Sequence, residues 1–156
     1  VDGATERERQ IAAFTFALGW DDGRNADRLE EADVVLAGVS RTAKTPLCLY
    51  LAGLGIRAAN VPLVPEVPPP KALFALPRGK LIALTVSPER LRLMRRKRLE
   101  VMGICDDRGY ATTERVLREL EFAHDVMRKA RCPVLDVTDT AVEEMAAVIL
   151  RHLKLR

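Results

Sequence analysis

Lys44 and Thr45 stand six and seven positions after Gly38, and the apolar run Val34-Val35-Leu36-Ala37 leads directly into that glycine. A strand, a tight loop and a helix in this order form a site for phosphate groups. Gly38-Val39-Ser40-Arg41-Thr42-Ala43-Lys44-Thr45 fits G-x-x-x-x-G-K-[ST] except at Ala43, which stands where the second glycine belongs. In such a loop the backbone N–H groups surround the phosphates, helped by the positive end of the following helix. Lys44 reaches the outer phosphates and the Thr45 hydroxyl ligates magnesium. With the second glycine gone, a strand-to-helix turn with a solvated lysine would use the same letters. The surroundings favour the phosphate site, because Pro46 fits only in the first turn of a helix, where its missing N–H costs nothing.

Other residues could share that chemistry. Asp21 and Asp22 could orient or deprotonate a hydroxyl acceptor, although an Asx turn ahead of Gly23 accounts for them as well. Arg90, Arg92, Arg95, Arg96, Lys97 and Arg98 form a dense basic run. In kinases with a phosphate loop, arginines of a lid neutralise charge during phosphoryl transfer, and Arg92 and Arg96 lie one turn apart; a solvated helix face is the alternative. Asp136 is a candidate for magnesium, with a loop-fixing role before Thr138 as its plainer reading. His124, His152 and Tyr110 carry no signal of their own.

These residues need elements to position them. A helix is expected over about 6–18, with Ile11, Phe14 and Leu18 on one face. Strands are expected at 33–37, 56–64, 80–86 and 133–137. Helices are expected after the phosphate loop, from Pro88 to Gly103 with Ser87 as cap, from about Thr112 to Arg131, and after a capping box of Thr140 and Glu143. The helix from Pro88 is expected to turn Leu91, Met94, Val101 and Met102 inward. Residues 105–110 read as a polar loop, and 64–70, with four prolines, as a stiff connector. Strands alternating with helices predict an α/β fold: a phosphate-loop (P-loop) kinase-like parallel sheet of about four to five strands, helices on both faces, ligands at the strands' carboxyl ends.

Composition limits the alternatives. The 156 residues suit one domain, divided here into a helix and linker over 1–31 and a nucleotide-binding part over 32–156. A net charge of +3 is too small to imply nucleic acid. Cys48, Cys105 and Cys132 are odd in number and far apart, which with only two histidines supports neither disulfides nor zinc and suggests a cytoplasmic setting. No run is long enough for a membrane span, and no signal peptide is visible. The chain begins with Val1 and is expected to be the C-terminal part of something longer.

Five segments together carry a family resemblance: Asp21 to Arg24, Val34 to Pro46, Ala58 to Val67, Leu84 to Leu91 and Pro133 to Thr138. The chain resembles the regulatory proteins of pyruvate, phosphate dikinase and of phosphoenolpyruvate synthase, from about Arg7 to Leu150. The resemblance implies a bifunctional enzyme. It would use ADP to phosphorylate an active-site threonine of the dikinase, and would remove that phosphate with inorganic phosphate, releasing pyrophosphate. Gly38 to Thr45 matches the family's ADP-binding segment, with Ala43 in place of its usual serine or glycine. Asn60 to Pro65 looks more like the dikinase branch than the synthase branch. A small-molecule kinase with the same loop, a fragment that binds without turnover, and a homo-oligomer all stay open.

Overall fold

The computed structural model describes residues 5–77, 79–105 and 109–154. Four strands form an all-parallel sheet: β1 (Val34–Gly38), β2 (Ala58–Pro62), β3 (Leu81–Thr85) and β4 (Val134–Asp136), in the order β2-β1-β3-β4. The interior strands are apolar up to Thr85 at the end of β3, as a sheet covered on both faces requires, with Val34 to Leu36 and Ala83 to Leu84 fully buried.

Helices fill the crossovers. From β1 the chain runs through α2 (Lys44–Gly53) to β2 on one side. It then returns past β1 through α3 (Lys71–Phe74) to β3 on the other. Right-handed crossovers in opposite directions put α2 and α3 on opposite faces. On the α2 face lie α1 (Glu6–Gly19) and α6 (Val142–Lys154), both touching α2. Opposite are α4 (Pro88–Met102) and α5 (Thr113–Ala130), packed on each other. Connections leave β1 and β3 in opposite directions, so the crevice at their carboxyl ends is the sheet's switch point, where open α/β sheets bind ligands.

Local signals explain most boundaries. The Ser87 side chain accepts a hydrogen bond from Arg90 N with Pro88 in the first turn, and Gly103 closes α4 in the left-handed conformation at φ 66°. Thr112 caps α5 through Arg115 N.

Three expectations need correction. Val101 is 80% exposed and Met102 53% exposed, because the end of α4 runs past the sheet; only Leu91 and Met94 of that set turn inward. On α1 the buried face is Ala13, Phe16 and Ala17, while Ile11, Phe14 and Leu18 face out. Small Ala13 and Ala17 let α1 lie close on its neighbours, which a bulky Ile11-Phe14-Leu18 face would prevent. The Thr140–Glu143 capping box is also absent: α6 starts at Val142, and the Thr140 hydroxyl donates instead to the Thr138 carbonyl at 3.2 Å. The polar loop expected over 105–110 falls partly on 106–108, outside the described residues.

Candidate functional site

The loop after β1 closes on itself. The Val39 carbonyl accepts from Thr42 Oγ1 at 2.8 Å and from Lys44 Nζ at 2.8 Å, and all three residues are buried. Gly38 is forced by crowding: a Cβ there would lie 2.7 Å from the Leu84 carbonyl oxygen of β3 and 3.2 Å from Thr42 Oγ1. The ends of β1 and β3 can therefore draw together only over a glycine.

Ala43 is now explained by conformation. It adopts φ 65° and ψ 26°, the left-handed region, as does Arg41 at φ 69°. The motif asks for glycine at position 43 because the loop needs this geometry to aim its N–H groups inward, and alanine holds it under strain. Ala43→Gly is expected to stabilise the chain by about 1 kcal/mol in urea melts, since the left-handed strain relieved exceeds the entropy a glycine adds. A lower midpoint for the variant would contradict this account.

Lys44 opens α2 and is only 6% exposed. Burial lowers its ammonium to a pKa of about 8; the charges of Asp22 and Asp21 oppose that shift and the nearby Arg95 adds to it. A desolvated cation beside a helix N-terminus, where no side chain of Ala43 caps the N–H groups, suits an incoming phosphate. Burial also pushes the Cys48 thiol up to about 12, so it serves as an apolar residue there.

Asp21 and Asp22 sit in a 3-10 turn, Asp21–Gly23, packed against β2, where a Cβ on Gly23 would lie 3.4 Å from the Pro62 ring. The turn separates the two carboxylates. Asp21 Oδ1 accepts from the Thr45 hydroxyl at 3.0 Å and from Asn60 Nδ2 at 2.8 Å. Asp22, at φ 54°, is exposed, and its charge supports the Lys44 ammonium.

The arginines part company too. Arg95 is fully buried and makes a two-pronged ion pair with Glu119, both contacts at 2.9 Å. It also donates to Ser40 Oγ at 2.9 Å and to the Tyr110 carbonyl at 3.1 Å, and stacks 4.4 Å from the Tyr110 ring centre. It therefore holds Ser40 of the loop against α4 and α5. Glu119 also accepts from Arg115, whose guanidinium grips Glu66 of the proline-rich connector and holds that carboxyl down at about 2. Arg92 donates to Thr113 Oγ1 at 3.3 Å. With exposed Arg96 it lines a cleft of about 450 Å³ at the start of α5.

Asp136 lies on β4, paired with Thr85, and its Oδ1 accepts from Thr138 N at 2.9 Å. Thr138, through its side chain first and its backbone N–H second, holds the carboxyl below its usual range. Thr45 is bonded instead to Asn60 on β2, across the sheet, so the structure does not bring Thr45 and Asp136 together. Between them, beside the loop, opens a crevice of about 390 Å³ with Thr42 and Ala43 on one wall and Val86, Met94, Val137 and Met145 on the others. A larger cavity, about 650 Å³, lies at the amino ends of β3 and β4 beside Leu81 and Pro133, the wrong end of a parallel sheet for its ligand.

Sequence reasoning missed Asn60 and Glu119 as parts of this site. Each left a trace. Asn60 is the one polar letter of β2, and Glu119 falls on the apolar stripe of α5 beside Val116 and Leu120.

Comparison with known proteins places the chain in a family. Residues 3–150 match the family model described as kinase/pyrophosphorylase. Relatives carrying the name pyruvate, phosphate dikinase regulatory protein include one from Alkaliphilus metalliredigens, 49% identical over 91% of this chain and 51% of its own length. Another, from Desulfitobacterium hafniense, is 50% identical over 93% of this chain and 53% of its own. One from Clostridioides difficile is 44% identical over 94% and 52%. The chain thus spans about half the length of the curated relatives it matches. It belongs to the kinase/pyrophosphorylase family.

Proposed function

We propose that this chain is the nucleotide-binding part of a regulatory enzyme that phosphorylates a threonine in the active site of pyruvate, phosphate dikinase with ADP, and removes the phosphate by phosphorolysis. The observation that carries this reading is the self-closed loop with a buried Lys44 ammonium at the switch point of the sheet. The relatives' printed names favour the dikinase over phosphoenolpyruvate synthase as target. The setting is the cytoplasm; among the described residues no helix is long and apolar enough to cross a membrane.

In this reading the loop amides from Val39 to Thr45 and the Lys44 ammonium hold the phosphates of ADP, and the base enters the crevice between Val86, Met94, Val137 and Met145. The donor set of Thr45 with a neighbouring carboxylate, all hard oxygens, fits a magnesium ion, which would neutralise phosphate charge when bound. The threonine hydroxyl oxygen bonds to the β-phosphorus as the bridging P–O bond breaks, releasing AMP, and Asp22 takes the hydroxyl proton. In the reverse regulatory step an oxygen of inorganic phosphate attacks the phosphothreonine phosphorus. The P–O bond to threonine breaks, pyrophosphate leaves, and the threonine oxygen regains a proton. Arg92 and Arg96 on α4 supply positive charge on the acceptor side.

Incubating the protein with ADP and phosphohistidine-charged dikinase, then reading modified peptides by mass spectrometry, tests the proposal. Phosphate on one active-site threonine, with AMP formed and both lost in Lys44→Ala, is the expected result. Turnover of a small acceptor without any dikinase, or full activity of Lys44→Ala, would sink it.

A further inference from the structure

We propose that the divalent cation accompanying the nucleotide is held by Asp21 together with Thr45, and that Asn60 is the residue positioning that carboxylate. This rests on the nucleotide reading of the loop. Loops of this type draw their metal-side carboxylate from a Walker-B aspartate elsewhere in the chain. Here the strand-end aspartate, Asp136, is on the far edge strand and is engaged by Thr138. The place beside Thr45 on β2 is occupied by Asn60, and the carboxylate arrives from the turn that precedes β1.

Asn60 is 2% exposed and makes three contacts, two to the turn and its cap and one to Thr45. Its backbone N–H donates to the Trp20 carbonyl at 3.1 Å, and its Nδ2 donates to Asp21 Oδ1 at 2.8 Å and to Thr45 Oγ1 at 3.0 Å. A flipped amide would set its oxygen against the carboxylate, so the orientation follows from the network. Asn60 Oδ1 is then left buried with no hydrogen-bond partner, an open acceptor within an otherwise satisfied cluster. Among the described residues no three His, Cys, Asp or Glu side chains gather to hold a metal. One carboxylate and one hydroxyl are a weak cation site alone and a suitable one once phosphate oxygens join them, which is how magnesium is commonly bound. The neighbouring Asp22 is thereby left to face Lys44 and the acceptor.

Manganese in place of magnesium gives a readout independent of turnover. ADP binding is first measured by calorimetry, and Mn²⁺ binding to the ADP complex is then titrated by electron paramagnetic resonance. Asp21→Asn, a half-buried turn substitution that keeps the shape, is expected to weaken Mn²⁺ at least about tenfold, and Asn60→Ala by a similar factor. Asp136→Asn and Asp22→Asn are expected to stay within about twofold of wild type. Wild-type Mn²⁺ affinity in Asp21→Asn, or a loss confined to Asp136→Asn, overturns the assignment. Failure of the wild type to bind ADP at all overturns the underlying nucleotide reading, and the cation site with it.

Discussion

Lys44→Met is expected to melt above the wild type while binding ADP at least about a hundredfold more weakly. The two effects have one cause. Lys44 keeps its charge in a buried place, and burial moves its pKa from an ordinary 10.5 to about 8. Holding the charged form there costs about 3 kcal/mol at neutral pH, at 1.36 kcal/mol per pH unit of displacement. Methionine fills the same space without that cost, and the lost Lys44–Val39 hydrogen bond returns about 1 kcal/mol of it, since Thr42 still donates to that carbonyl. The net gain is about 2 kcal/mol. The pH dependence follows from proton counts. Below pH 8 both folded and unfolded chains hold the proton on Lys44, so the penalty is constant. Between about 8 and 10.5 the unfolded chain binds the extra proton, so stability rises with pH across this window and levels off above it. The difference between wild type and Lys44→Met in urea melts from pH 7 to 10 isolates this group, because the other titrations cancel. A constant difference across that range, or a destabilised Lys44→Met, refutes the account.

What the letters disclosed and what they hid divides along a physical line. Strands, crossovers and caps were legible because they rest on local signals: the apolar run at Val34, the Ser87-Pro88 start, the glycine at 103. The strand, tight turn and helix from Val34 to Gly53 were legible for the same reason, as their geometry is local. Apart from the Thr140–Glu143 capping box, a local pattern that did not form, the errors fall where the third dimension decides. Val101 and Met102 continue the helical spacing of α4 but have run past the sheet they would pack on. Asp21 is thirteen residues ahead of β1, and only the docking of its turn on Asn60 and Pro62 brings it to Thr45. Arg95 reads like its neighbours in a basic run, and nothing local says that it alone meets a glutamate of α5.

That buried pair makes the second large prediction. Glu119→Ala leaves the guanidinium of Arg95, with 0% exposure, facing only Tyr110 and Ser40, and is expected to cost about 3–5 kcal/mol. Arg115 suffers less, since it keeps Glu66 and is partly solvated. Replacing both partners, as Arg95→Met with Glu119→Leu, removes the charges together and is expected to recover most of the loss, because desolvating an ion pair offsets much of its attraction. Nucleotide affinity should not recover with it. Arg95 is also the donor that ties Ser40 to α4 and α5, and no apolar side chain can replace that hydrogen bond. Melts and ADP titrations on the two variants therefore move apart: stability falls and returns, while affinity falls and stays low. A double variant that melts as low as Glu119→Ala would show that the pair is not the source of the loss. One that regains full ADP affinity would show that Ser40 needs no anchor, and would reduce Arg95 to a core residue with a charge.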